Sequence, residues 1–82
     1  MVLSGHTDVV PVEGQAWDSD PFTLREAEGR LHGRGSADMK GFIACCMAAV
    51  PALVNAQRAG TLKKPVILAF SYDEEIGCLG AP

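Results

Sequence analysis

An 82-residue chain has room for one small domain at most, and with 48% hydrophobic residues it is apolar enough to want a core larger than it can build alone. A formal net charge of −3, a pI near 5.1 and seven scattered basic residues argue against a nucleic-acid surface, which needs a basic stripe. Three cysteines, two of them adjacent at Cys45 and Cys46 in an apolar run, make no even-numbered disulfide framework and read as free thiols, the adjacent pair buried, in a reducing, cytoplasmic compartment.

Residues 1–5 are a short apolar run closed by Gly5, which reads as a buried strand; it lacks the basic flank of a signal peptide. His6 follows at its exit, Asp8 lies two residues on, and Pro11 marks a bend or edge. Residues 13–21 have loop composition around a lone Trp17, expected to plug a local apolar gap. Alternating residues at 22–26 and 30–32 flank a Gly29-containing turn and predict a β-hairpin. His32 falls in its second strand with no acid at ligand spacing, so surface or packing duty is expected of it.

Gly33 and Gly35 then give way to Ser36, Ala37 and Asp38, either of whose polar members can cap a following helix. That helix is predicted from Ala37 or Asp38 to about Gly60, with Gly60 as its stop and Arg58 complementing the dipole in the last turn. Its middle, residues 42–56, is apolar on nearly every face, as in a core helix covered on most sides, and is shorter than the ~20 residues of a membrane span. Pro51 predicts a kink or a break. After a polar connection, residues 65–71 form the clearest buried strand, and Asp73, Glu74 and Glu75 leave it. Strand, helix and strand make a βαβ-like unit with an inserted hairpin, hence an α/β fold with an at least partly parallel sheet.

Three polar turns at 6–8, 33–41 and 73–75 would therefore meet at one sheet edge, where ligands bind in such folds. His6, Asp38, Glu74 and Glu75 form a mixed nitrogen and oxygen set that suits zinc or another divalent first-row metal. Asp8 is placed to fix the His6 ring through its other nitrogen. Asp38 can bridge two ions with one oxygen on each, and of the adjacent pair Glu74 and Glu75 one can ligate while the other moves a proton. Each motif alone has a plainer reading, as a helix cap or as solvated surface charge.

The blocks His6-Thr7-Asp8-Val9-Val10-Pro11, Trp17 with Asp20-Pro21-Phe22, residues 33–41 and Asp73-Glu74-Glu75 resemble, in order, the signature blocks of the aminoacylase/carboxypeptidase family of dinuclear zinc hydrolases. Residues 71–78 and 41–44 resemble the branch that deacetylates N-acetylornithine in arginine biosynthesis more than the branch that desuccinylates diaminopimelate. The resemblance implies that His6 ligates one metal, Asp8 orients His6, Asp38 bridges both ions, Glu75 ligates the other and Glu74 is the general base. It implies a cis peptide between Asp38 and Met39, two bound ions (zinc, with cobalt as a substitute) and hydrolysis of a small N-acyl amino acid, while the charge and the short apolar run predict no nucleic-acid or membrane partner.

It further implies a three-layer α/β/α catalytic domain with a mostly parallel sheet, of which residues 1–82 are an amino-proximal part truncated at both ends. Family members add two more ligands, an acid and a histidine, from later segments, and a lid domain through which the parent forms a homodimer. The segment alone is accordingly expected to bind metal weakly and to show little activity. A desuccinylase, dipeptidase or aminoacylase shares the same chemistry. An inert metal-binding scaffold would not need a free acid at Glu74, and a redox role for Cys45 and Cys46 runs against their place inside an apolar helix.

Overall fold

Two apolar runs at opposite ends of the chain pair side by side, β1 (Val2–His6) and β4 (Ile67–Ser71), in a parallel register that runs from Val2 opposite Ile67 to His6 opposite Ser71. Parallel neighbours need a long crossover, and residues between them supply it as a hairpin followed by a helix. The computed structural model describes residues 1–81, and among these the fold is α/β with a parallel two-stranded sheet. The hairpin consists of β2 (Arg25–Ala27) and β3 (Arg30–His32), antiparallel about the two-residue turn at Glu28 and Gly29. It is shorter than its sequence pattern, since residues 22–24 stay outside the ladder: Asp20 accepts from the Phe22 amide at 2.9 Å and the Thr23 hydroxyl at 3.1 Å, which holds them in a turn.

The helix α1 (Gly41–Arg58) begins later than predicted. Residues 36–40 instead form a wide turn closed by the Lys40 amide on the Gly35 carbonyl at 2.8 Å and the Gly41 amide on the Ser36 carbonyl. Within it Asp38 is extended (φ −127°, ψ 94°), and the Asp38–Met39 peptide is cis. Neither Ser36 nor Asp38 caps the helix with its side chain, which corrects the capping expectation and leaves the Asp38 carboxylate free for other work. Pro51 does not break α1, which continues through it to Arg58. The loss is one hydrogen bond out of an eighteen-residue ladder. The end is as expected: Gly60 takes φ 71° while its amide meets the Gln57 carbonyl and the Thr61 amide meets the Ala56 carbonyl, a Schellman closure.

One face of α1 lies on the sheet. Ile43, Cys46, Val50, Leu53 and Ala56 recur at spacings of three and four and are withdrawn from solvent, with Val50 and Leu53 bordering the same hollow as Leu68 of β4. Cys46 is the buried hydrophobic residue of this layer, whereas Cys45 is exposed, so only one of the adjacent thiols is covered. Phe42, Met47 and Val54 on α1, and the paired Val2 and Ile67 on the sheet, stay exposed, so the helix is covered along one stripe and not on most sides. Trp17 is also not the expected plug: it is 37% exposed and carries the Arg34 guanidinium 5.1 Å above its ring, with Gln15 accepting from both side chains.

Gly35 and Gly60 adopt nearly the same positive φ, 79° and 71°, but a Cβ at Gly35 would meet Val9 Cγ1 at 2.5 Å, whereas one at Gly60 meets nothing within 4 Å. Gly60→Ala is expected to lower the unfolding free energy by about 1 kcal/mol through backbone strain alone, and Gly35→Ala by a further 1–3 kcal/mol (roughly) through overpacking. Urea midpoints of the two variants in the full-length protein check the order.

Candidate metal centre

The parallel register puts the exits of β1 and β4 at one edge, because His6, last residue of β1, pairs with Ser71, last residue of β4. The Thr7 amide and hydroxyl both donate to the Ser71 carbonyl, at 3.0 and 3.1 Å, and carry the contact one residue past the ladder. The turn before α1 brings Asp38 to the same edge. All five residues singled out for chemistry, His6, Asp8, Asp38, Glu74 and Glu75, meet there, although they span nearly the whole chain.

His6 is the buried member, at 6% exposure. Its Nδ1 lies 3.1 Å from the Asp8 carbonyl oxygen, an atom that can only accept, so Nδ1 carries the hydrogen. Nε2 of the neutral ring is then a lone pair, and it faces Asp38 Oδ1 at 3.1 Å and Glu74 Oε2 at 3.7 Å. A lone pair aimed at carboxylate oxygens is repulsive unless a proton or a metal ion lies between them. Two donors bonded to zinc at 2.0–2.1 Å in a tetrahedral shell stand about 3.3 Å apart, close to the His6–Asp38 spacing.

Glu75 completes the group. One donor atom from each of His6, Asp38 and Glu75 lies within 4.8 Å of the other two, a set able to hold a metal ion. Glu75 Oε1 is moreover buried without a hydrogen-bond partner, the state of an oxygen whose natural partner is an ion. The residues present fit a divalent cation. Glu74 differs from its neighbour, with a side chain 43% exposed beside the ring nitrogen of His6. His32 lies apart in the hairpin, half-covered and opposite Arg25.

Asp8 has more work than orienting the ring. Its Oδ1 is 3.3 Å from His6 Nδ1, a longer approach than the Asp8 carbonyl makes, while Oδ1 and Oδ2 accept the backbone amides of Glu74 at 3.1 Å and Glu75 at 3.0 Å. One carboxylate thus binds the exit of β1 to the exit of β4, a role that His-x-Asp spacing does not announce. Cys78 was likewise silent in the sequence; its thiol reaches the Glu74 carbonyl at 3.7 Å and the Glu74 carboxylate at 3.9 Å. Met39 and Lys40 also touch this edge, and no spacing rule marks either.

Protonation follows the same contacts. Partial burial alone would lower the His6 pKa, but the Asp38 hydrogen bond, the Asp8 carbonyl and the charges of Glu74 and Asp38 outweigh it and raise the group above 6.5. In the metal-free protein the protonated ring thus stabilises the fold at pH below 6.5, and that contribution fades as pH rises through the raised value. Burial would raise the Asp8 pKa, but the amides of Glu75 and Glu74 win and hold it below 3.8. The Asp8 clamp is therefore fully present above pH 3.8 and is lost as pH falls through the depressed value. Asp8→Asn replaces one acceptor oxygen by a donor. Amide hydrogen exchange at Glu74 and Glu75 is expected to quicken in this variant at neutral pH by about tenfold, the effect of one charge-assisted hydrogen bond lost.

The chain matches the family described as Peptidase family M20/M25/M40 over residues 2–82. It is 44% identical over 81 residues to an acetylornithine deacetylase of Salmonella arizonae and 43% identical over 81 residues to one of Klebsiella pneumoniae. Each alignment covers 99% of this chain and 20% of the relative, so the chain spans about a fifth of the length of these proteins. No solved structure matches. A match that takes in every element from β1 to the turn after β4 leaves none of the described fold outside it: the chain belongs to peptidase family M20/M25/M40.

Proposed function

We propose that this chain is the amino-proximal part of the catalytic domain of a cytoplasmic metal-dependent amidohydrolase that converts N-acetylornithine to ornithine and acetate. The observation that carries the chemistry is the convergence of His6 Nε2 on Asp38 and Glu74 with Glu75 beside them. The identity to two acetylornithine deacetylases supports the substrate.

In this reading His6 would hold one divalent ion, Glu75 a second, and Asp38 would serve both. When bound, zinc ions polarise an acyl oxygen and lower the pKa of water. Glu74 does the proton work. Its carboxylate takes a proton from the attacking water as the new carbon–oxygen bond forms, and returns it to the amine nitrogen as the carbon–nitrogen bond breaks. The bonds made by Asp8 to the amides of Glu74 and Glu75 hold the base at a fixed place relative to the ring of His6. The remaining ligands and a lid that forms a homodimer belong, in this proposal, to other segments of the parent protein.

Glu74→Gln in the full-length protein is expected to keep its zinc content, by elemental analysis, and to lose at least about 100-fold in kcat on N-acetylornithine. Unchanged turnover would refute the base assignment. Removal of metal with a chelator is expected to abolish hydrolysis and added zinc to restore it. Faster turnover of N-succinyl-diaminopimelate than of N-acetylornithine would move the substrate assignment to the desuccinylase branch.

A further inference from the structure

Asp38, Met39 and Lys40 grip the end of β1 with three consecutive side chains. Asp38 Oδ1 meets His6 Nε2 at 3.1 Å, the His6 backbone amide donates to Met39 Sδ at 3.4 Å, and the Lys40 ammonium donates to the Thr7 carbonyl at 2.7 Å. Gly5 makes room for the terminal methyl of Met39, since a Cβ there would meet Cε at 3.0 Å, with Sδ at an ordinary 3.5 Å. The lysine stem runs past Gly35, its Cε and Cδ at ordinary contact distance, 3.5 and 3.6 Å, from where a Cβ would stand. A fixed positive charge two residues from Asp38 works against a cation site. Its seat on the Thr7 carbonyl gives it a compensating task, because that carbonyl lies between His6 and Asp8, the two residues that set the ring.

We propose that Met39 and Lys40 are positioning residues that latch the Asp38 turn onto the exit of β1, so that His6 and Asp38 stand at ligand spacing before any ion arrives. The cation then meets a preset pair and does not have to gather it. The inference rests on the reading of His6, Asp38 and Glu75 as metal ligands.

The test uses the full-length protein and zinc affinity measured by competition with a chromophoric chelator, alongside the thermal midpoint of the metal-free form. Lys40→Met keeps the stem and removes the ammonium; it is expected to weaken zinc binding about tenfold, with Lys40→Arg restoring most of the loss. Met39→Leu keeps the bulk and removes the sulfur acceptor; it is expected to weaken zinc binding in the same direction, and it reads the latch even if Lys40→Met does not fold. Lys63→Met, whose ammonium serves the Gly60 carbonyl at the far end of α1, is the control and keeps wild-type affinity. Wild-type zinc affinity in Lys40→Met and Met39→Leu, whatever their thermal midpoints, overturns the latch while leaving the metal site standing. A wild-type protein that binds no zinc overturns both.

Discussion

The Asp8 carboxylate is the interaction on which the rest of this edge depends. It sits two residues beyond β1 and accepts two amides from the far end of the chain, across sequence separations of 66 and 67 residues. The strands alone fix the distance between His6 and Ser71, but they say nothing about where Glu74 and Glu75 go after β4 has ended. The Asp8 clamp settles that. It also uses a charge where a neutral acceptor would serve less well, because two amides converging on one group are best met by two anionic oxygens. The same residue's carbonyl fixes the tautomer of His6, so a single amino acid determines both which nitrogen of the ring is available and which carboxylates face it.

Around that clamp the chain is economical in what it leaves free. Asp38 stands in extended backbone outside the helix and so owes nothing to capping, and Glu75 keeps one buried oxygen without a partner. Polar atoms in such states are unusual in finished folds, since an unpaired buried oxygen carries its full desolvation penalty. Here Glu75 stands beside His6 and Asp38, with one donor atom of each within 4.8 Å of the other two. An imidazole nitrogen and carboxylates gathered this closely from separate elements make a place suited to a cation.

Much of this was legible in the residues. The alternation and length of the two apolar runs identified β1 and β4, the polar turns after them gave the edge, and the acid and imidazole residue types named the chemistry. The helix start was misread because Ser36 and Asp38 are good caps by composition, and local composition does not reveal that the chain makes a wide turn first. Of the kink or break expected at Pro51, the break does not occur, because an apolar helix packed on a sheet tolerates one missing hydrogen bond. Trp17 and Cys45 were given burial that a chain with one covered helix stripe does not provide. The contacts of Met39, Lys40 and the Asp8 carboxylate were out of reach for a different reason: they are tertiary, linking residues 33 or more positions apart, and no periodicity encodes them.

The parallel pairing of β1 with β4 also sets an order of events in biosynthesis. His6, Asp8 and Asp38 are made early, yet nothing can bring Glu74 and Glu75 to them until β4 has been synthesised and has found a partner more than sixty residues upstream. Closing so large a loop is slow compared with forming α1 or the hairpin, both of which are local. A nascent chain therefore passes through a period in which one imidazole and two acids are exposed as an open half-site, and Glu74 and Glu75 join it only once β4 has paired.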